Sequence, residues 1–204
     1  MASHPQNPIG RRGFFRALRE WAVEEGKALA EPFIEDFIES VEPVVSQIAG
    51  PEVVRPPGAI DERAFRETCT RCGDCVRACP ENAILPAPQG LFPDLAGTPV
   101  IIPRRRACVM CDPIHCAVAC PSGALVDVAR EAMRIGTARV MPALCFAHQG
   151  QDCDTCHAVC PERGKAIVIR RRMPEINPAA CTGCGLCEYA CPAHPAAIRV
   201  QTRR

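Results

Sequence analysis

All 16 cysteines of this 204-residue chain fall into four groups of four that share one pattern. In every group, three residues separate the third cysteine from the fourth, and a proline follows the fourth. The first and last groups read C-x2-C-x2-C-x3-C-P, whereas the middle two have one longer loop each. The groups, called cassettes one to four, are Cys69, Cys72, Cys75 and Cys79; Cys108, Cys111, Cys116 and Cys120; Cys145, Cys153, Cys156 and Cys160; and Cys181, Cys184, Cys187 and Cys191. Because the pattern leaves no cysteine over, it indicates metal ligation by all of them.

This spacing is typical of 4Fe–4S ligation, in which three closely spaced thiolates wrap three corners of a cluster. The fourth cysteine lies about one helical turn further on and normally ligates the other cluster of a two-cluster unit. The proline after it ends that turn. We therefore predict four 4Fe–4S clusters held by the sixteen cysteines through iron, in an electron carrier without catalytic residues of its own.

Three other uses of the cysteines are less compatible with the pattern. Structural zinc uses paired C-x2-C knuckles and does not call for a third cysteine in each loop or for the recurring Cys-Pro. A disulfide framework would have poor cross-bridging geometry at these spacings. Cys153 and Cys156 with His157 match the attachment motif of a c-type haem, but Cys145, Cys160 and Pro161 complete the cluster pattern around them.

The residues around the cassettes predict an α+β fold of tandem ferredoxin-like two-cluster domains. A short apolar run follows each Cys-Pro, at residues 83–85, 124–126, 166–169 and 197–200, so each cassette is predicted as loop, short helix and short strand. Further strands are expected at 100–102 and 138–141 and a short helix at 127–136. Because only 4% of the residues are aromatic, the clusters must supply much of the stability, and the apoprotein should be largely unfolded beyond residue 60.

Residues 1–52 are predicted to be a separate acidic, amphipathic helical segment, ahead of a cluster region at 53–204. Residues 20–54 hold nine acidic side chains and one lysine, and Pro32 and Pro43 should divide the helices. The apolar stripe within 14–48 either packs on the ferredoxin core or docks on a partner such as a membrane subunit. Residues 53–58 are expected to be an extended linker.

The cellular compartment of the protein is predicted from the residues that follow Arg11 and Arg12. The pair resembles a twin-arginine export motif, but charged residues occupy the place of the apolar region that a signal peptide needs. We therefore expect a cytoplasmic protein, with export as the alternative. The sequence has no apolar stretch of 18 residues and so predicts no transmembrane span.

The charge distribution argues against nucleic-acid binding. The formal net charge is only +1, and the arginine excess beyond residue 54 offsets the negative charge of clusters. The arginine triplets at 104–106 and 170–172 are solvated faces or sites for an acidic redox partner.

Motifs around the cassettes make the order of spacings recognisable. They are RPPGAI at 55–60, PSGAL at 121–125, MRIG at 133–136 and CTGCG at 181–185. Over residues 53–202 the chain resembles the ferredoxin-type iron–sulfur subunit of periplasmic nitrate reductase systems and its relative, the methylamine-utilisation ferredoxin. The resemblance implies four 4Fe–4S clusters that pass electrons between a redox partner, quinol-linked or other, and a larger oxidoreductase. The alternative function is an assembly, maturation or redox-sensing protein for a redox enzyme.

The resemblance also implies a nested pairing of cassettes, one with four and two with three; sequential pairing is the alternative. The nested ligand sets are Cys69, Cys72, Cys75 and Cys191; Cys181, Cys184, Cys187 and Cys79; Cys108, Cys111, Cys116 and Cys160; and Cys145, Cys153, Cys156 and Cys120. His115, His148 and His157 are expected at the surface or around the clusters, where they could donate hydrogen bonds to sulfur.

Overall fold

The computed structural model describes residues 53–90 and 92–202, which belong to one compact unit, Gly50–Arg204. The predicted helical segment at 1–52, its apolar stripe and the arginine pair lie outside the described residues. The stretch predicted as an extended linker is packed rather than free. Val54 is fully buried and exchanges two backbone hydrogen bonds of 2.9 and 2.8 Å with Ile101.

Five short helices and six short strands make up the regular structure of the described part. The helices are α1 (Glu62–Thr68), α2 (Asp74–Arg77), α3 (His115–Val118), α4 (Thr155–Ala158) and α5 (Leu186–Tyr189). The strands are β1 (Ile84–Pro86), β2 (Pro99–Ile101), β3 (Thr137–Val140), β4 (Ile167–Arg170), β5 (Met173–Ile176) and β6 (Ile198–Gln201). Single turns of 3-10 helix lie at Pro93–Leu95, Arg130–Ala132 and Pro142–Leu144.

The same local structure recurs in all four cassettes, as the spacing predicts. Helices α2 to α5 have four residues each, and the third cysteine of the cassette is always the second of them. In cassettes one and four the helix follows a glycine, Gly73 or Gly185, whose φ of 79° or 88° suits glycine best. The fourth cysteine lies just beyond the helix, where the following proline offers no backbone amide to continue it.

The strands form three antiparallel pairs, β1–β2, β3–β6 and β4–β5. Ile84 lies opposite Ile101, Val140 opposite Ile198, and Ile167 opposite Ile176. Strand β3 precedes cassette three and β6 follows cassette four, so their pairing, from Val140 with Ile198 to Thr137 with Gln201, joins the two ends of the second half of the fold.

Two predicted elements are wrong. Residues 124–126 do not form a strand but make a bridge between Leu125 and Ala59, because only the short turn at 58–60 is available to pair with them. The helix expected at 127–136 is limited to the 3-10 turn Arg130–Ala132. Strand β5 was not predicted, since Pro174 and Glu175 interrupt its apolar pattern.

The cassettes pack in sequence order. Helix α2 packs against α3, and α4 packs against α5, so cassettes one and two form one half and cassettes three and four the other. The apolar core between these elements is small, with Phe65, Ile101 and Met133 among its largest buried side chains. Seven of the sixteen cysteines are buried with them. No helix in the described part of the chain is both long and apolar enough to span a membrane.

Candidate metal centres

The structure collects the cysteines into groups that each combine three thiols of one cassette with the fourth thiol of a neighbouring cassette. Three of these groups line cavities. We number the centres by the cassette that supplies three thiols. Centre one is Cys69, Cys72, Cys75 and Cys120. Centre two is Cys108, Cys111, Cys116 and Cys79. Centre three is Cys145, Cys153, Cys156 and Cys191.

The fourth group follows from the mutual influence of the remaining thiols. Burial, and then the nearby thiols of Cys184 and Cys181, raises the pKa of Cys160. Burial, with the same two thiols and then Cys156 and Cys160, raises the pKa of Cys187 well above its ordinary value. Centre four takes the four remaining thiols, Cys181, Cys184, Cys187 and Cys160, which the packing of α4 against α5 brings near one another.

This grouping corrects the nested pairing that the resemblance implied. The nested sets give Cys191 to cassette one, Cys79 to cassette four, Cys160 to cassette two and Cys120 to cassette three. In the structure, Cys120 lies beside cassette one and Cys191 beside cassette three. The physical reason is the contact of α2 with α3 and of α4 with α5, which presents each fourth cysteine to the adjacent cassette. The sequential alternative describes the arrangement.

The thiols lie in surroundings that disfavour their charged form when no metal is bound. Burial is the largest cause, and it raises the pKa of Cys75 and Cys156 to about 11 and that of Cys108 and Cys116 to about 12. At neutral pH these groups would be neutral thiols. A cation with strong affinity for thiolate is needed to remove their protons.

The donor set of each group is the one that an iron–sulfur cluster uses, four cysteine thiols from two cassettes. Within the described ranges, no three histidine, cysteine or acidic side chains converge closely enough to hold one metal ion. A tetrahedral zinc site requires all its sulfur atoms about 2.3 Å from a common point. A 4Fe–4S cube instead takes one thiolate at each of four separated iron corners. Each group of four thiols therefore has the donors that one such cluster requires.

Backbone amides point at several of the sulfur atoms. The amides of Ala83, Leu125 and Ala197 donate to the Sγ atoms of Cys79, Cys120 and Cys191, at 3.3, 3.4 and 3.4 Å. These donors were not predicted. The sequence feature that could have predicted them is the apolar run after each Cys-Pro, because the chain turns back there and places an amide near the fourth cysteine.

Amide and hydroxyl donors also change the ionisation of Cys120. Burial raises the pKa of this thiol, but the Leu125 amide and the Ser122 hydroxyl outweigh burial and lower the pKa overall. The Ser122 Oγ atom lies 3.6 Å from the Cys120 Sγ atom. Hydrogen bonds to ligand sulfur stabilise the negative charge of a thiolate-bound cluster and tune its reduction potential.

The four centres follow one another in the order one, two, four, three. The thiol of Cys75 in centre one is among the groups that raise the pKa of Cys116 in centre two, after burial and Cys79. The amide of Cys108 donates to the carbonyl of Cys184 at 2.9 Å, which brings centre two to centre four. Cys156 of centre three is among the groups that influence Cys187 of centre four.

The three histidines expected near the clusters occupy different places. His115 begins α3 and lines the cavity of centre two. His157 lies in α4, directly after a ligand cysteine of centre three. The Nδ1 atom of His148 is buried without a hydrogen-bond partner among the described residues, but His148 is not part of the cavity lining of centre three.

Comparison with known proteins identifies the same cassettes. Residues 68–124 match a family model described as a 4Fe-4S dicluster domain, and residues 173–198 match one described as a 4Fe-4S binding domain. The dicluster match covers cassettes one and two, the pair that forms the first half of the structure.

Curated relatives match most of the chain. The methylamine utilization ferredoxin-type protein MauM of Methylorubrum extorquens is 41% identical over 163 residues, which cover 74% of each protein. The ferredoxin-type protein NapG of Escherichia coli is 41% identical over 166 residues, covering 72% of this chain and 69% of NapG. MauM of Paracoccus denitrificans is 40% identical over 161 residues, covering 74% of this chain and 71% of MauM.

Proposed function

Because the chain belongs to the family of ferredoxin-type iron–sulfur proteins that includes MauM and NapG, we propose that it holds four 4Fe–4S clusters and relays electrons between a redox donor and an oxidoreductase. The donor is a quinol-linked or other redox protein, and the acceptor belongs to a larger oxidoreductase complex. The chain itself acts as an electron carrier and not as the catalytic subunit.

The observation that carries the proposal is the continuous series of four cysteine groups. Each group brings together four thiols, and each neighbours the next in the order one, two, four, three. A protein that only needed clusters for structural stability would gain nothing from placing them in series. Neighbouring redox centres in series are what electron relay requires.

When bound, the clusters supply one-electron redox chemistry; the chain's residues supply their environment. The cysteine thiolates would hold the iron, and the burial of seven of them limits the access of water to those ligands. The amides of Ala83, Leu125 and Ala197 donate to ligand sulfur and stabilise the more negative, reduced state. Arg104 and the arginines near the centres offset the negative charge that the clusters bring.

The names of the relatives share the description ferredoxin-type protein. MauM is named for methylamine utilization, and NapG is named only as a ferredoxin-type protein. Similar identity to both supports the shared role of electron carrier for this chain, with the terminal substrate set by its partner.

The test is reversible redox cycling of the anaerobically purified holoprotein. We expect stepwise reductive titration, followed by electron paramagnetic resonance, to give signals of several 4Fe–4S clusters with magnetic coupling between neighbours. Reoxidation should restore the starting spectrum without loss of iron. Clusters that cannot be reduced, or that break down on each cycle, would contradict electron carriage and favour a maturation or sensing role.

A further inference from the structure

We propose that the surface at centre one, formed by Arg71, Cys72 and Arg77, is the docking site for an acidic redox protein. This inference rests on the proposed electron-carrier function and adds to it the place of electron exchange and the charge of the partner.

Exposure distinguishes centre one from the other centres. Cys72 is the one exposed cysteine of the sixteen, all of which lie in the described ranges. The cavity of centre one has a volume of about 300 Å³, and the exposed Cys72 is one of the residues that line it. A partner can therefore approach a ligand of this centre directly, without any rearrangement of the described fold.

The position of centre one in the series is a second reason to place the docking site there. Centre one is an end of the order one, two, four, three, and centre three is the other end. The ligands of centre three are buried or half-buried, and the nearby Arg172 is paired with Asp152. Of the two ends, centre one is thus the more accessible for exchange with an outside protein.

Charge indicates the chemistry of the partner. The residues that line the cavity include Arg71 and Arg77 but neither aspartate nor glutamate. Arg77 is engaged by the Asp74 carboxylate and the Cys72 carbonyl. Arg71 is exposed and has no side-chain partner in the part of the chain that the structure describes. An unpaired guanidinium beside an exposed redox centre favours a partner that presents carboxylates.

The backbone holds Arg71 in place. Its φ is 57°, in the left-handed region, and its Cδ atom lies 3.4 Å from where a Cβ atom at Gly97 would be. The side chain therefore leaves the loop between two ligands, Cys69 and Cys72, and extends across Gly97. The positive φ belongs to this loop position, since Met110 and Gly183 at the same place in cassettes two and four have φ of 55° and 76°.

The experiment compares Arg71→Glu with Arg171→Glu in the full-length holoprotein. Arg171 is a matched control because it is exposed, has a φ of 49° and has no side-chain partner within the described ranges. The probe for an acidic protein is dye-labelled polyglutamate, whose binding to the oxidised protein is followed by fluorescence anisotropy. We expect Arg71→Glu to weaken binding at least about fivefold and Arg171→Glu to change it less than about twofold.

Charged oxidants provide an independent readout at the centre itself. Oxidation of the reduced protein by anionic Fe(EDTA)⁻ should be about threefold to tenfold slower in Arg71→Glu, and oxidation by cationic hexaamminecobalt(III) should be faster. Both effects should shrink as salt is added. Arg71→Lys should retain the wild-type behaviour. Iron content of each variant establishes that the clusters are intact, and Arg71→Gln replaces any glutamate variant that loses iron.

Equal polyglutamate binding by Arg71→Glu and Arg171→Glu would overturn the docking site. So would a change in the reduction potential of centre one without a change in polyglutamate binding, since Arg71 would then only offset cluster charge. Failure of the proposed function looks different: the wild-type protein itself would lack clusters or fail to react with either oxidant.

Discussion

The backbone amide of Cys108 donates a 2.9 Å hydrogen bond to the carbonyl of Cys184. This bond joins the first cysteine of cassette two to the second cysteine of cassette four, and so joins the two halves of the fold at their metal centres. The thiol of Cys184 is also among the neighbours that, after burial, raise the pKa of Cys108. Because the junction is made by two of the proposed ligand residues, the two halves bring centre two next to centre four.

Pairs of ligand substitutions should reveal which cysteines share a cluster. Cys75→Ser and Cys120→Ser each remove a thiolate from centre one, so the double variant should lose about four iron atoms per chain, no more than either single variant. Cys75→Ser combined with Cys191→Ser affects centres one and three and should lose about eight. Iron and acid-labile sulfide, measured on anaerobically purified protein, provide the test.

The nested assignment predicts the opposite result for these pairs. The nested assignment places Cys75 and Cys191 in one cluster, so the double variant of these two cysteines would lose the iron of one cluster. The double variant of Cys75 and Cys120 would lose the iron of two clusters. Cys72→Ser with Cys120→Ser is a repeat of the test with a different thiol of centre one.

Gly183 is expected to tolerate no side chain. Its φ is +76°, and a Cβ atom there would lie 2.3 Å from the backbone nitrogen of Gly136. Because the obstacle is backbone, Gly183→Ala should destabilise the protein by about 3 kcal/mol or more. The expected fall in the temperature of cluster loss is about 6–12 °C for a region of this size.

Gly164→Ala is the control for the backbone conformation alone. Gly164 has a similar φ of +80°, but nothing lies within 4 Å of a Cβ atom at this position. The substitution Gly164→Ala should lower the free energy of unfolding by only about 1 kcal/mol. If both variants lose their clusters at the same temperature, close backbone packing at Gly183 does not hold the fold together.

Arg104 should stabilise the end of α5. Its guanidinium donates to the carbonyls of Glu188, Cys191 and Ala193 at 2.9, 2.8 and 3.2 Å, and thereby ties cassette four to the segment before cassette two. Arg104→Met keeps much of the apolar stem but leaves these carbonyls without their donor. We expect Arg104→Met to lower the free energy of unfolding by about 2–4 kcal/mol, which would be seen as faster cluster loss in denaturant.

The neighbouring Arg105 is a matched control for Arg104. It is exposed and makes no side-chain hydrogen bond in the described ranges. Arg105→Met should change stability by about 0.5 kcal/mol or less. Equal effects of the two substitutions would mean that net charge, and not the bonds to the end of α5, explains the loss.

Removal of iron should unfold the cluster region. Seven cysteines are part of its small buried core, and clusters held by the cysteines would fill the cavities that they line. Treatment with acid or a strong chelator, followed by circular dichroism, should show loss of the helix and strand signal together with the iron. A folded apoprotein with wild-type dichroism would show that the apolar core is sufficient by itself.

The sequence was a good guide to the structure inside each cassette and a poor guide to the contacts between cassettes. Loop, helix and Cys-Pro are fixed by residues a few positions apart, so the helix around Cys116 or Cys187 could be predicted from spacing. The choice between Cys120 and Cys191 as the partner of cassette one depends on which helices pack together. No local pattern encodes that choice.

Residues 124–126 illustrate the same limit. Their apolar pattern favours a strand, but no strand in the described part of the chain lies beside them. The amide of Val126 donates to the carbonyl of Gly58 at 2.8 Å, and the pairing extends no further than this short turn. A Cβ atom at Gly58 would lie 2.0 Å from the Val126 carbonyl oxygen, so the close approach depends on glycine. A strand requires a neighbouring strand of matching length, which tertiary structure alone supplies.

The most direct test of the central claim is the iron, acid-labile sulfide and zinc content of the chain purified without oxygen. Four clusters predict about 16 iron and about 16 sulfide per chain, with negligible zinc. About eight of each would leave two of the four centres without a cluster. About four zinc per chain without sulfide would contradict the account, because a zinc-bound chain has no redox centres to relay electrons.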